Sequence, residues 1–293
     1  MTSDLEEGLA RLYRRFNRRS YVHPDPLEIV YRYSDPRDQE IAGLLSACLA
    51  YGRVAQILVS VDRVLDALGG IGEAPSGSQL NSSPRAALER ASDRDLTEAF
   101  KRFRHRFTGG AEVAALLMAV RRALAEHGSL EAMFAAGIDP GDETVLPGLT
   151  RFVEGLRRHA GGTAACASLL SSPADGSACK RLNLYLRWMV RRDAVDPGPW
   201  HSVPAAKLVV PLDTHMFRIS RALGLTARST PTLKTAIEIT AGFARFQPGD
   251  PVRYDFCLTR LGINPACSDE DFECLLRNGG PTPSAPAHDR KRS

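Results

Sequence analysis

The sequence predicts an all-α fold. In nearly every segment with a regular pattern, apolar residues recur three and four positions apart, as they do along one face of a helix. Residues 38–51 carry this pattern in Ile41, Leu44, Leu45 and Cys48. The segments between such patterns are short and rich in glycine, proline or serine, and no series of alternating strands appears among them.

The predicted helices follow one another along the chain and end at recognisable stop signals. Gly69-Gly70 and Gly161-Gly162 each end a helical pattern. A loop is expected over 71–84, an extended apolar segment over 208–212, and a disordered tail over 281–293. The helices are predicted at 38–51, 54–68, 94–105, 111–127, 129–136, 143–158, 164–171, 177–191, 214–223, 231–245, 251–261 and 269–277.

Composition excludes several classes of protein. The 293 residues are 43% hydrophobic and 25% charged, with a net charge of +4, which is ordinary for a globular chain and not for a collagen-like, disordered or polycationic one. The longest apolar runs, such as residues 114–120, are far shorter than the ~20 residues of a membrane span. The acidic N-terminus lacks the apolar core of a signal peptide. We therefore expect a soluble cytoplasmic protein with no membrane partner.

The six cysteines do not follow a metal-binding pattern. No Cys-x-x-Cys pair occurs, and the spacing of Cys257, Cys267 and Cys274 fits neither a zinc ribbon nor a common iron–sulfur ligand set. Buried free thiols are the expected state. We predict no metal and no cofactor.

Residues 172–191 form the first segment whose pattern indicates chemistry. They predict a short helix, a tight turn at Gly176 and a second helix, which is a helix-hairpin-helix. A glycine turn at a helix N-terminus exposes backbone N–H groups that can bind a phosphate without reading sequence. Only five of the 38 basic residues are lysines, and Lys180 falls in the first turn of the second helix. A lysine amine can act as a nucleophile, whereas arginine cannot; the alternative is a surface lysine after an ordinary helical corner.

The second such segment is residues 207–225. An apolar extended stretch brings Asp213 to the start of an amphipathic helix that carries Met216 and Ile219 on its apolar side. Asp213 at this position has the role of a helix N-cap. The cap can be its whole role, or the same carboxylate can also take part in chemistry.

Together the two segments resemble the helix-hairpin-helix/Gly-Pro-Asp DNA glycosylases, the superfamily of endonuclease III and the 8-oxoguanine glycosylases. Residues 210–225 resemble that family's Val-Asp-Thr-His segment, and residues 41–50 resemble its early Leu-Leu-Ser helix. The closest resemblance is to a bacterial family of unknown function within the superfamily. The hairpin differs from the usual Leu-Pro-Gly-x-Gly-x-Lys in having Asp175 for the proline and Ala178 for the second glycine.

The resemblance implies a two-domain helical fold with a cleft between the domains. Residues 36–204 would form a helical barrel that ends in the helix-hairpin-helix, and residues 1–35 would combine with 205–280 in a second helical domain that carries Asp213. Residues 192–207 would be an insertion between the hairpin and Asp213.

The resemblance also implies an activity. Lys180 stands where bifunctional glycosylases keep their amine nucleophile, and Asp213 stands where the family keeps its catalytic carboxylate. The implied enzyme flips a damaged base, an oxidised purine being the expected class, and cleaves its glycosidic bond, with or without AP-lyase activity. The implied partner is double-stranded DNA carrying a lesion, bound by a monomer associated with the nucleoid.

Further candidates are basic residues for the phosphates and rings for the base. Residues 101–107 form a basic run with aromatics, although a solvated helix end would look the same. Trp200 lies in a Pro/Gly loop and is expected to form one wall of the base pocket. The DNA-binding candidates are Gly176, Ser177, Arg181, Lys101, Arg104 and Arg106, and the base-pocket candidates are Trp200, Trp188, His215 and Phe217.

Two other classes of function are compatible with the sequence. A non-catalytic binder of damaged or structured nucleic acid would keep the fold without the reaction. A helical interaction protein would have Lys180 and Asp213 only by coincidence. The enzyme hypothesis requires these two side chains to meet in one cleft.

Overall fold

The computed structural model describes residues 2–71 and 82–262 and is predominantly helical, which confirms the all-α prediction. Within these ranges the sheet structure is a single two-stranded hairpin. The α-helices are α1 (Thr2–Phe16), α2 (Pro36–Cys48), α3 (Val54–Gly69), α4 (Pro84–Arg90), α5 (Asp93–Phe100), α6 (Gly110–His127), α7 (Leu130–Ala135), α8 (Leu146–His159), α9 (Lys180–Val190), α10 (Thr214–Ala222), α11 (Leu233–Ala244) and α12 (Asp255–Gly262). The hairpin strands are β1 (Arg104–His105) and β2 (Thr108–Gly109).

Short 3-10 helices connect several of these elements. They cover Arg19–Tyr21, Pro26–Arg32, Thr163–Cys166, Pro173–Asp175 and Ala205–Lys207. The helix predicted over 164–171 is therefore only a 3-10 turn at its start. The helix predicted over 269–277 and the tail over 281–293 lie outside the described residues.

Two other element predictions are corrected by the structure. Ser83 caps α4 by accepting a hydrogen bond from the Ala86 N–H, and Pro84 occupies the first helical position, so a helix begins where the sequence predicted the end of a loop. The helix predicted over 94–105 ends at Phe100, because the following residues turn into the β1–β2 hairpin and bury His105.

Helix α2 lies at the centre of the molecule. It is buried on almost every side and packs against the 3-10 helix Pro26–Arg32, α3, α4, α7 and α9. Because all its faces are covered, residues 41–48 are apolar or small on every side instead of amphipathic, and the polar Asp38 and Glu40 of the first turns are buried as well. Helix α12 packs against α1 and α10. No helix of residues 2–71 or 82–262 combines the length and the apolar character that a membrane span requires.

A buried charge network joins α9 to α12. Asp196 is fully buried and pairs with two guanidinium groups, those of Arg187 and Arg191. Arg187 also pairs with Asp255, and Arg191 pairs with Asp250 at 2.9 Å. Burial alone would lower the pKa of Arg187, but Asp196 and Asp255 hold it above its ordinary value. Buried charges of this kind are tolerated because each has partners of opposite sign.

Candidate functional site

A cleft of about 910 Å³ lies where α9, α10 and α12 begin, facing the connection between α2 and α3. Clefts that bind small molecules or nucleotides fall within roughly 300–1,000 Å³. Side chains from all of these elements line it, among them Tyr51, Leu184, Lys180, Asp213, His215 and Asp255.

A turn before α9 positions Lys180. The backbone adopts the left-handed conformation at Gly176 (φ +75°), which a glycine accepts without strain. Cys179 then caps α9 in the same conformation, buried, with its thiol donating to the carbonyls of Ser171 and Ser177 at 3.4 Å. These bonds fix the direction in which α9 starts, so Lys180, its first residue, points into the cleft.

The same turn presents backbone donors. Within the described residues, the N–H groups of Ser177 and Ala178 donate no hydrogen bond, and both residues line the cleft. Free amides before a helix N-terminus favour an anion. The Asp175 carboxylate does not oppose the binding of an anion, because it accepts a hydrogen bond from Arg157 at 2.7 Å. This hydrogen bond holds the pKa of Asp175 below its ordinary value. The predicted role of Ser177 in phosphate binding therefore fits this geometry. Gly176 does not line the cleft and its own N–H donates to the Pro173 carbonyl at 3.0 Å, so its part is to form the turn.

Asp213 caps α10 and also faces the cleft. Its Oδ1 accepts from the Met216 N–H at 2.8 Å, and its Oδ2 lies 3.7 Å from Nζ of Lys180. The preceding segment is anchored, because the Val210 N–H donates to the Thr240 hydroxyl at 3.0 Å. Asp213 is thus an N-cap, and its second oxygen remains turned toward the lysine.

The Lys180–Asp213 pair is accessible from the cleft. The side chains are 35% and 28% exposed, so both can meet a ligand without being released from the core. Asp255 lies deeper, and burial raises its pKa to about 6 against the opposing effect of Arg187. Arg187 pairs with this carboxylate, and the charge of Asp213 contributes to its raised pKa.

Sequence reasoning missed the floor and the far wall of this cleft. Asp255 and Phe256 come from α12, and Asp25 pairs with Arg260 at 2.8 Å across the same wall. These residues are far from the two motif segments along the chain, and no local pattern marks them. Tyr51, which directly follows the α2 motif segment, offered a signal: an aromatic followed by glycine and arginine at a helix end.

The tryptophans predicted for the base pocket are core residues, and this prediction is corrected. Trp200 is 2% exposed, packs against Phe134 and Tyr185, and donates from Nε1 to the buried carboxylate of Glu40 at 2.8 Å. Trp188 is fully buried in α9. Neither lines the cleft, because residues 197–200 fold back onto the core, with the Trp200 N–H bonded to a carbonyl of α9.

Replacing Trp200 should therefore affect stability. Trp200→Phe keeps most of the packing but, among the described residues, leaves the Glu40 carboxylate with only the N–H donors of Leu130 and Glu131. Losing one bond to a buried carboxyl group costs about 1–3 kcal/mol. We expect the midpoint of urea unfolding to fall accordingly, and nucleic-acid affinity, measured on the folded protein, to stay unchanged. A variant with wild-type stability would contradict this assignment.

Of the two remaining predicted pocket residues, one lines the cleft and the other does not. His215, exposed on the first turn of α10, lines the cleft as expected. Phe217 is half-buried against the core, with the Arg221 guanidinium 5.9 Å from its ring, and does not line the cleft.

Two of the predicted DNA-binding cations are engaged within the protein. Arg181 donates to the backbone carbonyls of Cys48 and Ser168, so it ties α9 to the end of α2 and is not a free phosphate ligand. Its guanidinium also lies 5.2 Å from the ring centre of Tyr51. Lys101 forms an exposed ion pair with Glu98. Such a pair is weak and can exchange for a phosphate.

Potential metal ligands lie away from the cleft. Glu126, His127 and His159 place ligand atoms within 4.8 Å of one another at the ends of α6 and α8. Burial lowers the pKa of His159, and the nearby charges of Arg158 and Arg122 act in the same direction and disfavour a cation there. The described cysteines, Cys48, Cys166, Cys179 and Cys257, are free and buried as predicted, whereas Cys267 and Cys274 lie outside the described residues.

Comparison with known proteins gives one match. No curated protein matches the chain, and no solved structure matches it. The model of a family described as a protein of unknown function (DUF2400) matches residues 25–264, from the segment before the first cleft-lining turn to the end of α12. The match spans most of the chain and includes every cleft residue, so this chain belongs to the DUF2400 family.

Proposed function

We propose that this protein is a DNA glycosylase that removes a damaged base, an oxidised purine being the expected class. The observation that carries the proposal is the approach of Lys180 Nζ to Asp213 Oδ2 at 3.7 Å inside one cleft. The two residues belong to different motif segments, and the proposal required their side chains to meet. Their resemblance to the glycosylase nucleophile and carboxylate supplies the reaction.

The arrangement supports a stepwise reaction on a flipped nucleotide. The amine of Lys180 would form a bond to C1′ as the bond from C1′ to the base breaks, with the base leaving with the bonding electrons. Asp213 would stabilise the positive charge that develops on the sugar and accept the proton that the lysine loses. Opening of the sugar ring would then give a Schiff base, from which strand cleavage by elimination can follow.

The surroundings of the pair suit such a substrate. Tyr51, Leu184 and Phe256 supply apolar surface in the cleft, and a flipped base needs such a surface to stack on. The free amides of Ser177 and Ala178 lie beside Lys180 and can hold a phosphate of the same strand.

The proposal is tested with a panel of duplexes that each carry one lesion. The wild-type protein should form a covalent complex with at least one of them when borohydride is present, and base release should be detected from the same duplex. Affinity should fall as the salt concentration rises, with log Kd increasing linearly with log salt, because phosphate contacts release counterions. Binding without base release from any lesion would instead establish the non-catalytic nucleic-acid binder, and absence of binding at low salt would reject both.

A further inference from the structure

An arginine-lined pocket of about 360 Å³ lies beside the cleft, between α3 and the β1–β2 hairpin. It is bordered by the guanidinium groups of Arg53, Arg63, Arg104 and Arg106, and no carboxylate lines it. Among the described residues, none of these four arginines forms a salt bridge with an acid, whereas many others in the protein do. Uncompensated arginines that surround one pocket favour an anion with several oxygens, such as a phosphate.

The hairpin that carries two of these arginines is held firmly. His105 is buried, with Nδ1 2.8 Å from the Ser60 hydroxyl of α3 and Nε2 3.2 Å from the Tyr51 carbonyl. The Tyr51 hydroxyl donates to Thr108 at 2.6 Å. Burial lowers the pKa of His105, which favours its neutral form. Gly52, next to Tyr51, has φ +101°, a backbone conformation that glycine adopts without strain.

The tip of the hairpin presents an aromatic ring to solvent. Phe107 is 77% exposed, an unusual state for phenylalanine. Its ring lies parallel to that of Tyr51, with centres 6.5 Å apart and an angle of 10° between planes, and the Arg106 guanidinium lies 5.5 Å from it. Tyr51 lines the cleft, and Arg53 borders both the cleft and the arginine pocket, so the two sites are adjacent.

We propose that the hairpin and the arginine pocket bind a nucleic-acid strand next to the cleft, with a backbone phosphate in the pocket and an unpaired base stacked on Phe107. This inference rests on the proposed function in that the cleft takes the same nucleic acid. Arginines around a phosphate with an aromatic ring beside them are the usual means of holding unpaired nucleotides. The preferred substrate is therefore a duplex with an unpaired base, and intact duplex binds more weakly.

The test compares two labelled duplexes of one sequence, fully paired or with a single-nucleotide bulge, by fluorescence anisotropy over a range of salt. Wild-type protein should bind the bulged duplex about 10-fold or more tightly, since stacking is worth ~1–3 kcal/mol per base. Phe107→Ala should remove this preference for the bulged duplex without changing the salt dependence. Phe107→Trp, which keeps an aromatic ring, should retain the preference. Because Phe107 is exposed, its replacement should not affect folding.

The arginine pocket is tested by the double variant Arg63→Gln with Arg104→Gln. Its affinity for both duplexes should fall, and the slope of log K against log salt should decrease by about 1 for the phosphate lost. The matched control is Arg228→Gln, which removes one exposed cation paired with Glu238 and lines neither site. Inorganic phosphate at millimolar concentration should compete only weakly, since it lacks the stacked base.

Each remaining outcome overturns part of the proposal. A bulge preference that survives Phe107→Ala rejects the stacking role, and an unchanged salt slope in the double variant rejects the phosphate pocket. Tight competition by inorganic phosphate would make the pocket a site for a small phosphate ligand. If the wild-type protein binds neither duplex, the proposed function fails as well. If it binds and none of the hairpin variants changes that binding, only the hairpin inference is rejected.

Discussion

Lys180→Gln should abolish borohydride trapping on lesion DNA while DNA binding persists. Lys180 is the sole lysine among the described residues that line the cleft, and its amine is the atom that would form the Schiff base. Lys180→Arg should fail equally, because a guanidinium stays protonated and is not a nucleophile. The measurement is the yield of covalent complex on a denaturing gel, with affinity measured in parallel by anisotropy.

Lys207→Gln is the matched control for this result. Its Nζ donates to the carbonyl of Pro140 at 3.0 Å, and Lys207 does not line the cleft. It should therefore trap like the wild type. Trapping that survives in Lys180→Gln would place the nucleophile elsewhere, and loss of trapping in Lys207→Gln alone would move it to that lysine.

Arg187→Leu should be the most destabilising single substitution in the charge network. It leaves the buried carboxylates of Asp196 and Asp255 without one of their main partners. Breaking a buried pair on one side costs about 3–5 kcal/mol, because an uncompensated charge remains in the core. We expect a fall in the free energy of unfolding of that size, measured by urea denaturation, and a melting temperature lower by about 10 °C.

A second substitution separates charge from packing in this experiment. Asp255→Asn added to Arg187→Leu removes one of the stranded charges and should recover part of the lost stability. Arg228→Leu breaks an exposed pair and should change stability by less than about 1 kcal/mol. Wild-type stability in Arg187→Leu, or no recovery in the double variant, would contradict the role assigned to the network.

The motif segments were predictable because their signals are local. The turn at Gly176, the start of α9 and the N-cap at Asp213 each depend on residues within one or two helical turns. The helical periodicity likewise predicted most helices, since an apolar face repeats every three to four residues wherever a helix packs on a core. The convergence of Lys180 and Asp213 followed from the resemblance and not from spacing.

The errors came from contacts between distant residues. Trp200 was assigned to a pocket because its loop is rich in proline and glycine, but a buried carboxylate 160 positions earlier in the chain, Glu40, provides its partner. Strand β1 was predicted as the end of a helix because His105 finds Ser60 only in the folded protein. The acids and arginines of the α9–α12 network were likewise unmarked, since their pairing depends on tertiary structure.

The proposal that Asp213 takes part in chemistry is tested most directly by single-turnover base release in Asp213→Asn. The substrate is the lesion duplex that the wild type processes, and the melting temperature is measured on the same sample. Asparagine caps a helix as well as aspartate does, so the bond to the Met216 N–H and the stability should be retained. We expect the rate of base release to fall about 100-fold or more, because the charge that stabilises the sugar cation is gone. Equal rates in the two proteins would contradict the account and leave Asp213 as a helix cap alone.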